Sequence, residues 1–179
     1  PADGSERLFR QAAEALAKQY PFARSLINTG RMAVANPYSQ SSACTYAPGS
    51  AAGQSVQNVP FAWADGTAGQ FNDLLNWAGG DLLLLVFGDL APAALQRLRR
   101  LGLNAPVRCV QVRGADTPAQ AVEHVRDPDC HLQGACQVFG HAWALVRPDG
   151  YLAATGDTIN ARLVTAIERS LGLHGDHAP

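Results

Sequence analysis

Four cysteines are the side chains of this sequence best suited to redox or nucleophilic chemistry. Disulfide exchange needs a thiolate of low pKa and a second cysteine close to it, usually as Cys-x-x-Cys. Here the closest pair is six positions apart, and in a helix those two side chains would lie roughly 240° apart around the axis. Residues 1–25 show no secretion-signal pattern that would favour disulfides. The sequence therefore predicts free, buried thiols at Cys44, Cys109, Cys130 and Cys136.

Two histidines beside the last two cysteines raise the question of a metal site. The spacing is Cys-His-x4-Cys-x4-His, formed by Cys130, His131, Cys136 and His141. Zinc sites usually pair ligands two to five residues apart on turns, and this spacing fits no such pattern well. The sequence therefore predicts no metal-binding residue.

Other catalytic signatures do not occur in the sequence. It contains no GxGxxG after a strand, no Walker lysine, no GxSxG and no HExxH. Asp149-Gly150 fits a hairpin tip better than a phosphate-binding turn, and Asp65, Asp73 and Asp81 fit turns and helix ends. Tryptophans can stack on a ligand but more often fill a core or an interface, which is the prediction for Trp63, Trp77 and Trp143. We therefore assign no catalytic and no cofactor-binding residue.

The first 60 residues predict helices followed by a long irregular segment. Residues 5–19 carry one apolar face at helical spacing, formed by Leu8, Phe9, Ala12, Ala13, Leu16 and Ala17. A second short helix is predicted over 22–29. Residues 35–64 are rich in Ser, Ala, Gly, Pro, Asn and Gln, and a structureless stretch of that length is unusual inside a compact domain. We interpret residues 1–34 as a helical segment from the end of a preceding domain, 35–60 as a linker wrapping a surface, and 61–179 as a domain.

The pattern becomes regular after the linker. Residues 82–87 are apolar on both faces, as a central strand covered by helices must be. Pro148-Asp149-Gly150 suits a type I turn with a glycine bulge between two antiparallel strands. The predicted elements are helix 68–77, strand 82–87, a helix opened by Pro92 with Leu95, Leu98 and Leu101 inward, strand 107–112, helix 117–125, a helix over 130–139, strands 142–146 and 151–154, and helix 158–171.

The order β-α-β-α-β-β-α is that of the thioredoxin fold, in which a right-handed crossover places the first two strands parallel and adjacent. The rival is a flavodoxin-like sheet, which gives no reason for the late hairpin. Thioredoxin chemistry needs cysteines in the turn after the first strand, and here that turn reads Gly88-Asp89-Leu90-Ala91. The fold also usually has a proline just before the third strand, and residues 139–143 contain none. The sequence thus predicts an α/β fold with a thioredoxin-like core and neither dithiol oxidoreductase nor one-cysteine peroxidase chemistry.

Composition excludes several classes of partner. The chain has 179 residues, 47% hydrophobic residues and a formal net charge of −1, which fits one domain with appendages and gives no basic face for nucleic acid or acidic lipid. The longest apolar run is six residues and too short to span a bilayer. Thirteen of the fourteen basic residues are arginine, a bias that is typical of GC-rich bacterial genomes.

Several segments resemble one enzyme family. Residues 22–46 resemble the segment that follows the flavin and substrate domains of FAD-dependent aromatic hydroxylases, in particular 3-(3-hydroxyphenyl)propionate hydroxylase and its phenol hydroxylase relatives. Further similar pieces are Asp73-Leu74-Leu75, residues 80–88 and residues 144–154. These class A flavoprotein monooxygenases end in a thioredoxin-like domain that has lost its cysteines. The similarity covers most of the chain, and its motifs are structural.

The resemblance implies a C-terminal structural domain that is not catalytic alone. The parent enzyme would use NAD(P)H, FAD and oxygen to hydroxylate a phenolic ring in the cytoplasm. The family's FAD-binding residues lie upstream of this segment, so no role passes to a numbered residue here. The implied partner is the preceding FAD and substrate domain of the same chain, and a homo-oligomer stays open. The alternative is a free-standing, redox-inactive thioredoxin-like module that binds a protein partner.

Overall fold

The structure is a computed structural model, and it describes residues 8, 12, 15, 16, 19, 20, 36–38, 40–88, 96, 106–114, 123–139 and 143–173. The chain separates into two compact units, Pro1–Asn36 and Pro37–Pro179. In the first unit residues 8, 12, 15, 16 and 19 are helical, in agreement with the predicted helix over 5–19. The rest of that helix and the predicted helix over 22–29 lie outside the described residues.

The second unit contains seven strands and three helices among its described residues. The strands are β1 (Pro60–Trp63), β2 (Ala68–Gln70), β3 (Leu82–Phe87), β4 (Val107–Arg113), β5 (His124–Arg126), β6 (Trp143–Val146) and β7 (Leu152–Gly156). The helices are α1 (Phe71–Ala78), α2 (His131–Ala135) and α3 (Ala161–Ser170). The predicted helix opened by Pro92 lies outside the described residues, apart from Gln96, which is helical.

The seven strands form one mixed sheet in the order β2-β1-β5-β4-β3-β6-β7. Strand β3 pairs parallel with β4, and β4 pairs parallel with β5, whereas the other neighbours are antiparallel. The predicted parallel neighbours and the terminal hairpin are therefore confirmed. The arrangement β4-β3-β6-β7, followed by α3, is the thioredoxin-like core expected from the sequence.

Strand β3 is the centre of two apolar layers. All six of its side chains are buried, and successive ones point to opposite faces. On one face Leu83 and Leu85 pack with the α1 residues Phe71 and Leu74. On the other face the remaining leucines pack with α3, through Leu163 and its neighbours. This two-sided burial is why the run 82–87 is continuously apolar.

The hairpin and helix predicted at the end of the chain are present with shifted ends. The amide of Gly150 donates to the carbonyl of Arg147 at 2.9 Å, and Gly150 has a φ of 81°, which is the predicted turn. The last helix begins at Ala161 rather than 158 because the Asn160 side chain accepts a hydrogen bond from the backbone of Arg162. Asn160 itself is extended, so the helix starts after it.

The predicted helix over 68–77 is wrong in its first three residues. These residues form β2, which pairs antiparallel with β1 across the turn at Asp65-Gly66. The helix α1 begins only at Phe71 because the Gln70 amide donates to the Asp73 carboxylate at 2.8 Å, half of a capping box. The sequence of these residues is compatible with a helix, but they form a strand because they pair with β1.

Two other predicted helices need correction. His124 and Val125, placed in a helix over 117–125, lie in β5, where Val125 is fully buried between β4 and β1; residues 117–122 lie outside the described part. The helix over 130–139 is limited to α2 because Gln137 has a φ of 53°, and the amide of Val138 bonds back to the carbonyl of Gln133 at 3.2 Å. Such a left-handed residue with a six-to-one bond ends a helix.

The segment interpreted as a linker follows the free edge of β7. Residues 40–56, here called the strap, belong to the second unit. Their backbone exchanges hydrogen bonds with Leu152, and the amide of Thr45 donates to the carbonyl of Ala153 at 2.7 Å. Ser55 forms an isolated antiparallel bridge with Tyr151. An open strand edge is a site of unwanted pairing, and the strap occupies this one.

Candidate functional site

The position that carries redox chemistry in thioredoxins is the end of β3. Gly88 follows the strand with a φ of 81°, and its amide donates to the carbonyl of Val112 at 3.1 Å. Its own carbonyl accepts a hydrogen bond from Nε2 of Gln111 at 2.9 Å. Residues 89–91 lie outside the described part. This end of the strand is therefore bound to β4 through a buried amide side chain, and no thiol occurs at it in the sequence.

The four cysteines are free thiols in different surroundings. Burial raises the pKa of Cys109 to about 11. Burial, with a smaller effect of the Asp127 charge, raises the pKa of Cys136 to about 12. Redox-active cysteines need the opposite shift, towards the thiolate. Cys109 and Cys136 are accordingly held as neutral thiols at physiological pH.

The other two cysteines differ in exposure. Cys44 is buried in the strap, where its Sγ lies 3.6 Å from the Leu152 carbonyl. Cys130 is exposed, which corrects the prediction of a buried thiol. The reason is that Cys130 stands in the turn just before α2, with a left-handed φ of 56°. Packing thus encloses Cys44 and Cys136, leaves Cys109 half-buried rather than buried as predicted, and leaves Cys130 open to solvent.

The His and Cys cluster considered for metal binding does not converge in the described residues. Nε2 of His131 lies 3.8 Å from the Asp129 carboxylate. His141 lies outside the described part. Within the described ranges there is no group of three His, Cys, Asp or Glu side chains placed to hold a metal ion.

The aspartates singled out in the sequence have structural roles. The Asp65 carboxylate accepts a hydrogen bond from the Thr67 amide at 2.9 Å, and this bond lowers the pKa of Asp65. Asp73 caps α1, as described above. Asp81 pairs with Arg108 at 3.0 Å, a contact between the residue before β3 and strand β4 that the spacing did not reveal. The prediction of turn and helix-end residues is confirmed for Asp65 and Asp73.

The tryptophans pack as predicted. Trp63 and Trp77 are partly buried against the apolar cluster beneath α1. Trp143 is only 1% exposed, and its Nε1 donates to the carbonyl of Thr158 at 2.8 Å. Its register partner on β7 is Gly156, and a Cβ at Gly156 would lie 2.6 Å from the indole. The indole therefore lies across the glycine and ties β6, β7 and the segment before α3 together.

The strap is further fixed by aromatic side chains near the hairpin turn. The rings of Tyr38 and Tyr151 are 4.5 Å apart between centroids. The Tyr46 hydroxyl donates to the carbonyl of Tyr38 and accepts a hydrogen bond from the Ser41 amide. The Arg147 guanidinium lies 5.8 Å from the Tyr38 ring centroid and pairs with Asp149. These contacts connect residues 38–46 with the turn between β6 and β7.

Two buried polar residues were missed at the sequence level. Gln111 is fully buried between Val110 and Val112, and its Oε1 has no hydrogen-bond partner within the described residues. Asp127 is 3% exposed, and its carboxylate accepts hydrogen bonds from three backbone amides at the start of α2, those of His131, Leu132 and Gln133. The signal for Gln111 was a polar residue inside an apolar strand. The signal for Asp127 was an acid just before a short helix.

Comparison with known proteins places these features in context. No protein-family model matches the chain. The chain is 40% identical over 92 residues to 6-methylpretetramide 4-monooxygenase from Streptomyces rimosus, a match covering 51% of this chain and 15% of that protein. The chain therefore spans a small part of this relative.

Solved structures of flavin-dependent enzymes also match the fold of this chain. The flavin-dependent monooxygenase PieE, solved with FAD and substrate, matches 91% of this chain with a TM-score of 0.62 and 17% identity, over 30% of its own length. Aklavinone-11 hydroxylase, solved with FAD and aklavinone, matches 78% of this chain with a TM-score of 0.56 and 23% identity, over 26% of its own length.

A thioredoxin-like protein from Porphyromonas gingivalis matches 68% of this chain with a TM-score of 0.51 and 16% identity, over 95% of its own length. At these identities the structural matches show the fold, which is α/β and thioredoxin-like. In sequence this chain resembles part of a monooxygenase. In fold it resembles parts of two flavin-dependent enzymes and a thioredoxin-like protein.

Proposed function

We propose that this chain is the C-terminal structural domain of an FAD-dependent aromatic-ring hydroxylase. The parent enzyme would be a bacterial, cytoplasmic monooxygenase that uses NAD(P)H and oxygen. The observation that carries the proposal is the 40% identity over 92 residues to a monooxygenase. The thioredoxin-like fold supports it, because that fold is here combined with a turn after β3 that contains no cysteine.

The cofactors are assigned to the part of the parent that lies outside this chain. The sequence has no GxGxxG fingerprint, which FAD-binding domains use to bring backbone close to the pyrophosphate. The space between the sheet and its helices α1 and α3 is filled by apolar side chains. The residues present therefore do not fit FAD, and we derive no catalytic step from them. Purified residues 1–179 should be colourless, and a stoichiometric yellow complex with FAD would refute this assignment.

The partner that we propose is the preceding FAD and substrate domain of the same chain. In the first unit, Leu8 and Leu16 lie eight residues apart on a helix and are 69% and 46% exposed. Burying a leucine contributes about 1.5–3 kcal/mol, so this face is suited to a partner surface. Changing Leu8 and Leu16 to Ser should leave the melting of the second unit unchanged. The same change should weaken binding to the preceding domain. In the isolated chain, where that domain is missing, it should reduce self-association. Loss of folding of the second unit would contradict the proposed division.

The alternative is a free-standing, redox-inactive thioredoxin-like module that binds a protein. It is favoured by the match to the Porphyromonas gingivalis protein, whose length is 95% covered. Among the described residues no helix is long and apolar enough to cross a membrane, which fits both candidates.

The reading frame upstream of residue 1 distinguishes the two candidates. Several hundred further residues, with a GxGxxG after the first strand, would support the hydroxylase. A start codon near residue 1 would refute it and leave the free-standing module. If the frame continues, the full-length protein should oxidise NAD(P)H in the presence of a phenolic substrate, and the isolated chain should not.

A further inference from the structure

Two arginines end neighbouring parallel strands on the same face of the sheet. Arg113 is the last residue of β4, Arg126 is the last residue of β5, and the two are direct register partners. Neighbouring strands lie about 4.8 Å apart, so the two side chains leave the sheet next to each other. One step earlier, Val112 and Val125 lie in the apolar cluster on the α1 face. The arginines therefore lie on the opposite face.

The positive charges of this pair are not balanced in the part of the chain that the structure describes. The ion pairs seen there belong to Arg108, His131 and Arg147. Nε of Arg113 is buried and has no hydrogen-bond partner among these residues. Like charges directly opposite each other destabilise a sheet, and a buried donor without a partner also carries a cost. A single bound anion would relieve both.

The acidic side chain next to Arg126 in sequence is bound to backbone amides rather than to an arginine. Asp127 follows Arg126, and its carboxylate accepts hydrogen bonds from three backbone amides of α2. Glu123 lies at the other end of β5 and is exposed. Neither forms an ion pair with Arg113 or Arg126 in the described structure.

Small or polar side chains lie beside the pair among the described residues. Next to Arg126 in the same row is Ala62 of β1, whose side chain is a single methyl group. On the inner side of the pair, the row formed by Gln111 and His124 lies on the same face. Ligands of open α/β sheets bind outside the carboxyl ends of the parallel strands, and this is where both arginines stand.

We propose that Arg113 and Arg126 form a binding site for the phosphate group of a small molecule, with His124 on its inner side. Guanidinium groups present planar pairs of donors that match phosphate oxygens. Two of them side by side suit a dianion better than a single carboxylate. The site uses β4 and β5 alone and is independent of the proposed place of this chain in a hydroxylase.

The experiment measures binding of inorganic phosphate to the 179-residue chain at constant ionic strength, with chloride as the balancing anion. Phosphate should raise the melting temperature in a saturable way and shift the Nε–H resonances of Arg113 and Arg126 in nitrogen-15 spectra. Arg126 is exposed, so Arg126→Gln should fold. It should raise the Kd for phosphate about tenfold or more, because one charge-assisted contact is lost. The matched control is Arg162→Gln, an exposed arginine of α3, which should keep the Kd within twofold.

A charge reversal tests the premise of unbalanced charge. Arg126→Glu places a carboxylate beside Arg113, so the melting temperature without phosphate should rise and the response to phosphate should disappear. Three results would overturn the proposal: chloride or succinate matching the effect of phosphate, equal weakening by Arg162→Gln and Arg126→Gln, or a lower melting temperature for Arg126→Glu.

Discussion

Replacing Gly156 by alanine should destabilise the domain strongly, although it adds only one methyl group. The new Cβ would lie 2.6, 2.7 and 2.9 Å from three atoms of the Trp143 indole. Cβ contacts in folded proteins are longer than 3.0 Å. The indole is 1% exposed, and its Nε1 is bonded to the Thr158 carbonyl. It cannot move away without losing that bond or entering the apolar layer below α3.

The magnitude follows from these two contacts. Forcing a methyl group into a packed core costs about 1–3 kcal/mol, and loss of the indole hydrogen bond costs about 0.5–1.5 kcal/mol. The free energy of unfolding should therefore fall by about 1.5–4.5 kcal/mol. For a domain of this size, that corresponds to a fall in Tm of about 3–18 °C.

The assay is urea unfolding followed by tryptophan fluorescence and circular dichroism. Gly134→Ala is the matched control, because a Cβ at that helical position has nothing within 4 Å, and the change should stabilise the chain by about 0.5–1 kcal/mol. Trp143→Phe removes the indole atoms in conflict, so in a double-mutant cycle with Gly156→Ala it should recover about 1 kcal/mol or more.

Two results would refute the reasoning. If Gly156→Ala stayed within about 0.5 kcal/mol of the parent chain, the indole would not be fixed across the glycine. If Trp143→Phe and Gly156→Ala were additive, their effects would have separate causes, and the contact between them would not be the source of the loss.

The remaining predictions concern a buried cap, the thiols and redox activity. Asp127→Ala removes the acceptor for three backbone amides and should cost about 2–5 kcal/mol in urea unfolding, whereas exposed Asp129→Ala should change little; equal effects would contradict the capping role. At pH 8 a thiol reagent should modify exposed Cys130 first, and mass spectrometry should find Cys136 unmodified until the chain unfolds. The pKa of Cys136 is raised from 9.0 to about 12. Its neutral thiol therefore favours the folded state below pH 9, and this contribution to stability is lost as the pH rises towards 12. A melting temperature that does not change with pH between these values would contradict this prediction. The chain should show no insulin reduction, and turnover lost on mutation of any cysteine would show that the alignment of the turn after β3 is wrong.

The sequence alone was enough to predict the elements whose pattern is local. The run 82–87 is apolar at every position, so its burial on both faces does not depend on where its neighbours come from. The turn at Asp149-Gly150 is set by a glycine that accepts positive φ, and its structure agrees with the prediction. From these elements the thioredoxin-like order and the missing cysteines could be stated before any coordinates.

Tertiary structure decided the elements that depend on pairing with another segment. Residues 68–70 have a helix-compatible sequence but form a strand because β1 pairs with them. His124 and Val125 do so because β5 is inserted between β4 and β1. The strap has no periodicity at all, yet its backbone is bonded to β7. Pairing energy between segments far apart in sequence leaves no trace in local composition.

Some features of the candidate site could likewise be predicted from the sequence, and others depend on the tertiary structure. That the end of β3 lacks thiol chemistry is readable from residues 88–91 alone. That Arg113 and Arg126 stand side by side is not, because they are separated by thirteen positions and meet only through the register of two parallel strands. Shifting one strand by a single residue would send its arginine to the other face. The sequence determines which residues each strand carries, and the three-dimensional register determines which of them can act together.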